Sequence, residues 1–257
     1  MSIWSTPGLK QVRQSAFLNT RFRIGYGAYW GCFPSRSAAE SFLSKPKRAT
    51  YDSDRVVTIN LETFQAVHPF DWPVMFFLQR FHQERQLKVV TDFGGHVGVK
   101  YHAYRNAMPL PPGIAWQVVD VPAICREGRR RIRPDDAGLS YHESLDTAAD
   151  CDVLLCSGSL QYSDRFVDQI VADMRTAPRM IIINKVSVSD QDFYTLESFD
   201  RERMPHRVVT DGYLTKVREG LGYEKLNQWD IPGRRFKVPH QTGELRAGMI
   251  GQAWIRA

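Results

Sequence analysis

Five short runs that read as strands, the third only weakly alternating, recur from Leu87 onward with helical stretches between them, and this alternation limits the fold more than any other feature. They are "LKVVTDF" (87–93), "AWQVVDV" (115–121), "GLSYHES" (138–144), "CDVLLCSGS" (151–159) and "RMIIINKV" (179–186). Runs that are apolar without strict alternation suit strands buried on both faces, and the helices between them are the crossovers that parallel strands need. The fold class expected is α/β, a Rossmann-like sheet with helices on both faces.

Within this domain, "DRFVDQIVADMR" (164–175) reads as a helix capped by Ser163 or Asp164, with Phe166, Val167, Ile170, Val171 and Met174 on its inner face. "DGYLTKVREGLGY" (211–223) reads as a second, capped by Asp211 and ended by Gly222, with Leu214, Val217 and Leu221 inward. "YEKLNQWD" (223–230) and "GMIGQAWIRA" (248–257), joined by a Pro/Gly/Arg-rich loop, read as a C-terminal antiparallel hairpin on the sheet edge.

The first 86 residues lack strand alternation. "SRSAAESFLSK" (35–45) is a short helix and "HPFDWPVMFFLQRFHQER" (68–85) an amphipathic one started by Pro73. The glycine- and aromatic-rich "RIGYGAYWGCFPS" (23–35) serves either as core filler or as a wall of the cleft. The expected division is therefore a mostly helical N-terminal extension over residues 1–86, packed as a lid over the active site, and a binding domain over 87–257.

Apolar patches such as "PVMFF" and "MIII" are core-sized, far short of a membrane span. The opening "MSIWSTPGLKQVRQ" has no continuous apolar core of the kind a secretory signal carries, so a cytoplasmic location is expected. Cys32, Cys125, Cys151 and Cys156 form no C-x-x-C pair and have no histidine at zinc-finger spacing, so no metal is expected. Much of the net charge of +6 sits in "REGRRRIR" (126–133) and "GRRFK" (233–237), which read as solvated faces or as contacts to an anionic partner. Neither cluster is interleaved with stacking aromatics, so nucleic acid is not expected. Oligomeric state has no signature in the sequence.

The turn after the first run, "DFGGHVG", carries the chemistry. A glycine-rich turn between strand and helix lets backbone approach a ligand and aims free N–H groups at an anionic part of it. A dinucleotide fingerprint would read G-x-G-x-x-G, whereas the spacing here is G-G-x-x-G with His96 where the middle glycine would stand. Asp92, just before the turn, would repel a pyrophosphate and suits the ammonium of an amino-acid ligand. S-adenosylmethionine carries such an ammonium, a carboxylate for the loop amides, and a ribose whose hydroxyls Asp120 is placed to accept. The bland alternative is a tight turn at Gly94 and Gly95 with Asp92 and Asp120 as caps. Ligands in such sheets gather at the carboxyl ends of the strands, which favours the cofactor reading.

The blocks "GAYWGCFPSRSAAESF", "VVTDFGGHVGVKYHAY", "VVDVPAI", "DVLLCSGSLQYSD", "IIINKVSVSD" and "MPHRVVTDGYLTKVREGLGYEKLNQW" together resemble a family of bacterial S-adenosylmethionine-dependent methyltransferases, over roughly Tyr29 to the C-terminus. The resemblance implies the class I methyltransferase fold, S-adenosyl-L-methionine as cofactor, and a setting among genes for surface polysaccharides or other secondary products. By position it implies Asp92, Gly94, Gly95, His96 and Gly98 at the methionine end and Asp120 at the ribose. Val121, Ser144 and Leu145 would flank the adenine, and Ser157 and Gly158 would lie near the methyl group. The chain departs from the family pattern at His96, at Glu197 in place of glutamine, and at Lys185 and Ser187 in place of Arg and Pro.

Methyl transfer is an in-line displacement at a sulfonium, so the protein's task is alignment and exclusion of water, with a base needed only for a poor nucleophile. Tyr162 is the first side chain able to meet the acceptor, and Lys185 and His206 are further candidates for binding or deprotonating it. The acceptor expected is a small or carrier-linked metabolite or saccharide, anionic if the basic runs serve it. The competing readings are a nicotinamide-dependent oxidoreductase and a non-catalytic binding protein on the same scaffold.

Overall fold

The computed structural model describes residues 17–22, 27–43, 66–199 and 202–256; the opening stretch read for a leader lies outside them. In chain order the named elements begin with β1 (Tyr29–Phe33), α1 (Arg36–Ser41), α2 (Trp72–Arg85), β2 (Val89–Phe93), α3 (Val99–Ala107), β3 (Ala115–Val119), α4 (Pro122–Arg131) and β4 (Leu139–His142). There follow β5 (Val153–Ser157), α5 (Val167–Ala172), β6 (Met180–Val188), β7 (Phe193–Phe199), β8 (Glu202–Val208), α6 (Asp211–Gly220), β9 (Glu224–Asp230), β10 (Phe236–His240) and β11 (Gly243–Ile255). The chain divides into two compact units, the larger of Tyr51–Val186, Thr215–Pro232 and Ile250–Ala257, the smaller of Met1–Thr50, Ser187–Leu214 and Gly233–Met249. The described residues 66–86 thus belong with the large sheet, and two later segments join residues 27–43 in the smaller unit.

In the larger unit the strand order is β4-β3-β2-β5-β6-β11, with β9 paired to β11. The pairs β2–β3, β3–β4, β2–β5 and β5–β6 are parallel, and β9 runs antiparallel to β11. The five runs are the five parallel strands, and Val153–Cys156 and Ile181–Ile183 are wholly buried, as strands covered on both faces must be. The chain steps outward from β2 to β4, then returns to the other side of β2 as β5. That reversal opens a crevice at the carboxyl ends of β2 and β5.

Helix α2 starts at Trp72 with Pro73 in its first turn, where a missing N–H costs nothing, and follows a 3-10 turn over Pro69–Asp71. Val74, Met75, Phe77, Leu78 and Phe81 form its buried face and join Tyr104, Trp116, Val118 and Leu155 in the main core. Among the described residues, no helix is long and apolar enough to cross a membrane.

The smaller unit holds a three-stranded antiparallel sheet, β1-β7-β8, and a hairpin made by β10 and the first part of β11. Phe193, Val208, Val238 and Ala247 form one apolar cluster, with Tyr29, Cys32, Phe236 and Leu245 against it. Trp30, Phe33, Ala39, Leu196 and Phe22 form another.

Several local readings need correction. β1 lies where no strand was expected, because "YWGCF" mixes aromatics with a glycine and shows no two-residue period. β7 and β8 were masked by their charges and by Pro205, which an edge strand such as β8 tolerates. Helix α5 begins only at Val167, because Ser163 instead accepts from the Arg165 N–H at 3.0 Å in a preceding turn. Helix α6 is capped by Thr210, whose hydroxyl accepts from the Tyr213 N–H at 3.0 Å, with Asp211 inside the helix. The closing strands β9 and β11 do pair, but β10 stands between them in sequence, so they are not a simple hairpin. The basic run of α4 does lie on a solvated face, where Arg129 pairs with Glu143 at 2.9 Å and Arg131 with Glu127 at 2.8 Å.

Candidate functional site

Beyond Phe93 the chain turns through five residues into α3. Gly94 (φ 69°), His96 (φ 55°) and Gly98 (φ 74°) all adopt left-handed backbone, which only glycine takes without strain. The turn is closed by Gly94 N–H donating to the Val119 carbonyl at 2.8 Å and Gly98 N–H to the Gly95 carbonyl at 3.2 Å. A side chain at Gly94 would meet the Cβ of Ser159 at 2.3 Å, and one at Gly95 the carboxylate carbon of Asp92 at 2.5 Å. The loop therefore lies flat against the end of β5 on one side and on Asp92 beneath.

Asp92 is fully buried, with Oδ2 accepting from the Trp116 indole N–H at 3.2 Å and Oδ1 without a hydrogen-bond partner. Burial pushes its carboxyl up to about 7, against the pull of the Trp116 N–H and the Lys100 ammonium. Asp120 ends β3 with Oδ2 accepting from His96 N–H at 2.9 Å and Oδ1 from Val121 N–H at 2.8 Å. Burial raises it to about 6, the two backbone donors opposing the rise. Val121 packs on Val97 and Val99, so the end of β3 is joined to the loop by apolar contact as well.

Across the crevice, Ser159 donates to the Phe93 carbonyl at 2.6 Å and fixes the loop after β5 against the glycine turn. Ser157 accepts from the Asn184 amide at 3.3 Å, and Asn184 accepts in turn from the Trp229 indole at 3.2 Å. Gly251 makes room for that indole, since a Cβ there would lie 2.2 Å from the ring. Lys185 lies within β6, which runs on to Val188, and not at the strand end; it has left-handed backbone (φ 59°), and its side chain lies where a Cβ on Gly158 would be 2.8 Å from Cε and Nζ.

Beneath the loop runs a buried ionic network. Lys100, in the first turn of α3, donates to Asp71 Oδ2 at 2.8 Å, and the Tyr104 hydroxyl donates to Oδ1 at 3.1 Å. The Phe70 ring stands 5.7 Å from the Lys100 ammonium and 5.6 Å from that of Lys185. Both distances fall within cation–π range.

The structure thus gathers Asp92, Gly94, Gly95, His96, Gly98, Asp120 and Val121 at one edge of the crevice and Ser157, Gly158 and Lys185 at the other. Tyr162 is half-buried on a turn ahead of α5, its N–H donating to the Ser159 carbonyl at 3.0 Å, and is not a helix-start residue. Ser144 precedes the 3-10 turn after β4, and Leu145 is buried beside Thr91, Ala148 and Met174. His206 belongs to the smaller unit and is fully buried there. Sequence reasoning missed Ser159, Asn184, Trp229, Lys100 and Asp71. Ser159 was within reach, since it closes the same "CSGS" turn as Ser157 and Gly158.

His96 holds a glycine's conformation, and its contact with Asp120 is made by backbone. His96→Gly removes a left-handed penalty of about 1–2 kcal/mol and adds about 0.5–1 kcal/mol of chain entropy cost, so stability in urea should stay level or rise slightly. Cofactor affinity by calorimetry should stay within about tenfold. A larger loss would make the imidazole part of the site.

No protein-family model matches the chain, and no curated protein matches it in sequence. Many solved structures share its fold. OxaC, solved with S-adenosylhomocysteine and oxaline, matches with a TM-score of 0.51 at 12% identity, over 80% of this chain and 52% of that one. The PH0226 protein from Pyrococcus horikoshii OT3 matches at 0.50 and 9% identity, over 80% and 98% of the two chains. The glycopeptide N-methyltransferase MtfA, solved with S-adenosylhomocysteine, matches at 0.50 and 8% identity, over 75% and 92%. The chain has the Rossmann-like class I methyltransferase fold.

Proposed function

We propose that the protein is an S-adenosylmethionine-dependent methyltransferase that modifies a small-molecule or carrier-linked acceptor. The observation that carries this reading is the left-handed glycine turn after β2, set over a buried carboxylate and linked to a second carboxylate at the end of β3. Asp92 Oδ1 is a buried acceptor lacking a partner, and the ammonium of the cofactor's methionine end would supply one. The loop N–H groups suit that end's carboxylate, and Asp120 suits the ribose hydroxyls. These features fit S-adenosylmethionine in charge and hydrogen bonding. Bound there, the cofactor supplies an activated methyl group on a sulfonium.

The chain's own residues then bind, orient and exclude water. Ser159 and Asn184 hold the two edges of the crevice in register. Ser157 and Gly158 border the place where the methyl group would point, and Lys185 lies over Gly158. Tyr162 and Lys185 are the groups assigned to receive the acceptor; His206, buried in the smaller unit with both ring nitrogens bonded, is left out of that role, and the location is taken to be cytoplasmic. The nicotinamide reading loses support, because the broken fingerprint is joined by an antiparallel β9–β11 pair where a dinucleotide fold continues in parallel.

The test is calorimetry with S-adenosylhomocysteine and with NAD across pH. A cation beside Asp92 favours its charged form, so below about pH 7 binding must expel a proton. Affinity for S-adenosylhomocysteine should rise from pH 6 to pH 8, at most about tenfold per unit, with proton release at pH 6. Asp92→Asn should flatten that rise. Binding of NAD alone would overturn the reading.

A further inference from the structure

The smaller unit contains a polar network that the methyl-donor reading leaves unused. His206 Nδ1 is bonded to Glu197 Oε2 at 2.7 Å and its Nε2 to the Ser187 hydroxyl at 2.8 Å, and both His206 and Ser187 are fully buried. The Tyr29 hydroxyl donates to the other oxygen, Glu197 Oε1, at 3.0 Å. Strand register explains the convergence. Tyr29 is the cross-strand partner of Glu197, and His206 faces Thr195, two residues along, so all three side chains share one face of the sheet.

Tyr29 also stacks on Phe236 with ring centroids 4.2 Å apart and planes at 21°, and His206 meets both rings edge-on. Each carboxylate oxygen is fixed by a different donor, and one donor is locked from behind by a buried hydroxyl. That is the arrangement of a group held for recognition, with its orientation set by a supporting layer. Ser187 and His206 are closed to solvent, whereas Glu197 is 18% exposed and Tyr29 and Phe236 are partly exposed. The network therefore presents a carboxylate beside an aromatic pair.

We propose that this face of the smaller unit binds a polyhydroxylated ring, of saccharide class, with Glu197 accepting from its hydroxyls and the Tyr29–Phe236 pair meeting its C–H face. Ser187, His206 and Tyr29 are positioning residues for Glu197. A carboxylate beside aromatic rings also suits an ammonium ion. Arg234, whose charge acts on the Tyr29 phenol, disfavours a cation there. The inference is drawn from the smaller unit alone and stands apart from the donor reading.

Saturation-transfer difference NMR on the intact protein tests it, with the methyl glycosides of glucose, galactose and mannose as probes and choline as the ammonium control. Saturation should reach the ring protons of at least one glycoside and not choline. Glu197→Ala should weaken that glycoside roughly tenfold or more, with cooperative thermal unfolding retained. Tyr29→Phe keeps the ring and removes one donor, and should weaken it about two- to tenfold, which reads the site even if Glu197→Ala fails to fold. Saturation of none of the glycosides, equal saturation in the wild type and both variants, or preference for choline would each overturn the proposal.

Discussion

Asp71→Ala should cost the protein about 3–5 kcal/mol in urea unfolding, because it strands the buried Lys100 ammonium without its carboxylate. The Lys100 side chain is 4% exposed and that of Asp71 wholly buried, so water cannot replace the lost partner. The Tyr104 hydroxyl and the His68 N–H lose their acceptor in the same change. Asp71→Leu combined with Lys100→Met should recover at least half of the loss, since a buried pair is costly to break and cheap to replace by apolar groups of similar size. If the single change proves mild, Lys100 must find another partner, and Asp92, which already feels its charge, is the carboxylate expected to serve. Lys100 sits in the first turn after the glycine loop, so the same variant should also loosen the cofactor edge.

The second large effect is expected at Gly94. Alanine there would place its Cβ 2.3 Å from that of Ser159 while holding a left-handed backbone. The conformational penalty of about 1–2 kcal/mol and an overpacking penalty of about 1–3 kcal/mol should together lower stability by roughly 2–5 kcal/mol. Affinity for S-adenosylhomocysteine should fall more than tenfold, or about 1.4 kcal/mol, by calorimetry. Adding Ser159→Gly should relieve the steric part and leave the backbone part, so recovery should be partial. Full recovery would show that the left-handed turn at residue 94 carries no cost of its own.

These two sites differ in how far the sequence discloses them. Gly94 stands in a turn between a β-branched run and a helix, and that local grammar is enough to read it. The inner parallel strands are legible for the same reason, since strands buried on both faces need unbroken apolar runs, whereas the edge strand β4 alternates. The Asp71–Lys100 pair has no such marker, because its members lie in different elements and neither motif nor period links them. β7 and β8 escaped notice because they alternate charge with apolar residues over a short span and carry a proline on an edge. At the site, Asp92 and Asp120 were marked by their positions at strand ends, and His96 by its departure from glycine. Its left-handed backbone, which explains why that position wants glycine, is visible only in three dimensions.

The two units are not separable along the chain. β6 and β11 each begin in one unit and end in the other, and the smaller unit is assembled from three stretches of sequence. No single cut releases either unit whole, and a deletion that removed the smaller one would also shorten two strands of the large sheet. Expression as two fragments, or exchange of one unit between relatives by a simple crossover, therefore has no clean end points. Variation in the smaller unit has to accumulate as substitutions and loop changes within a fixed path.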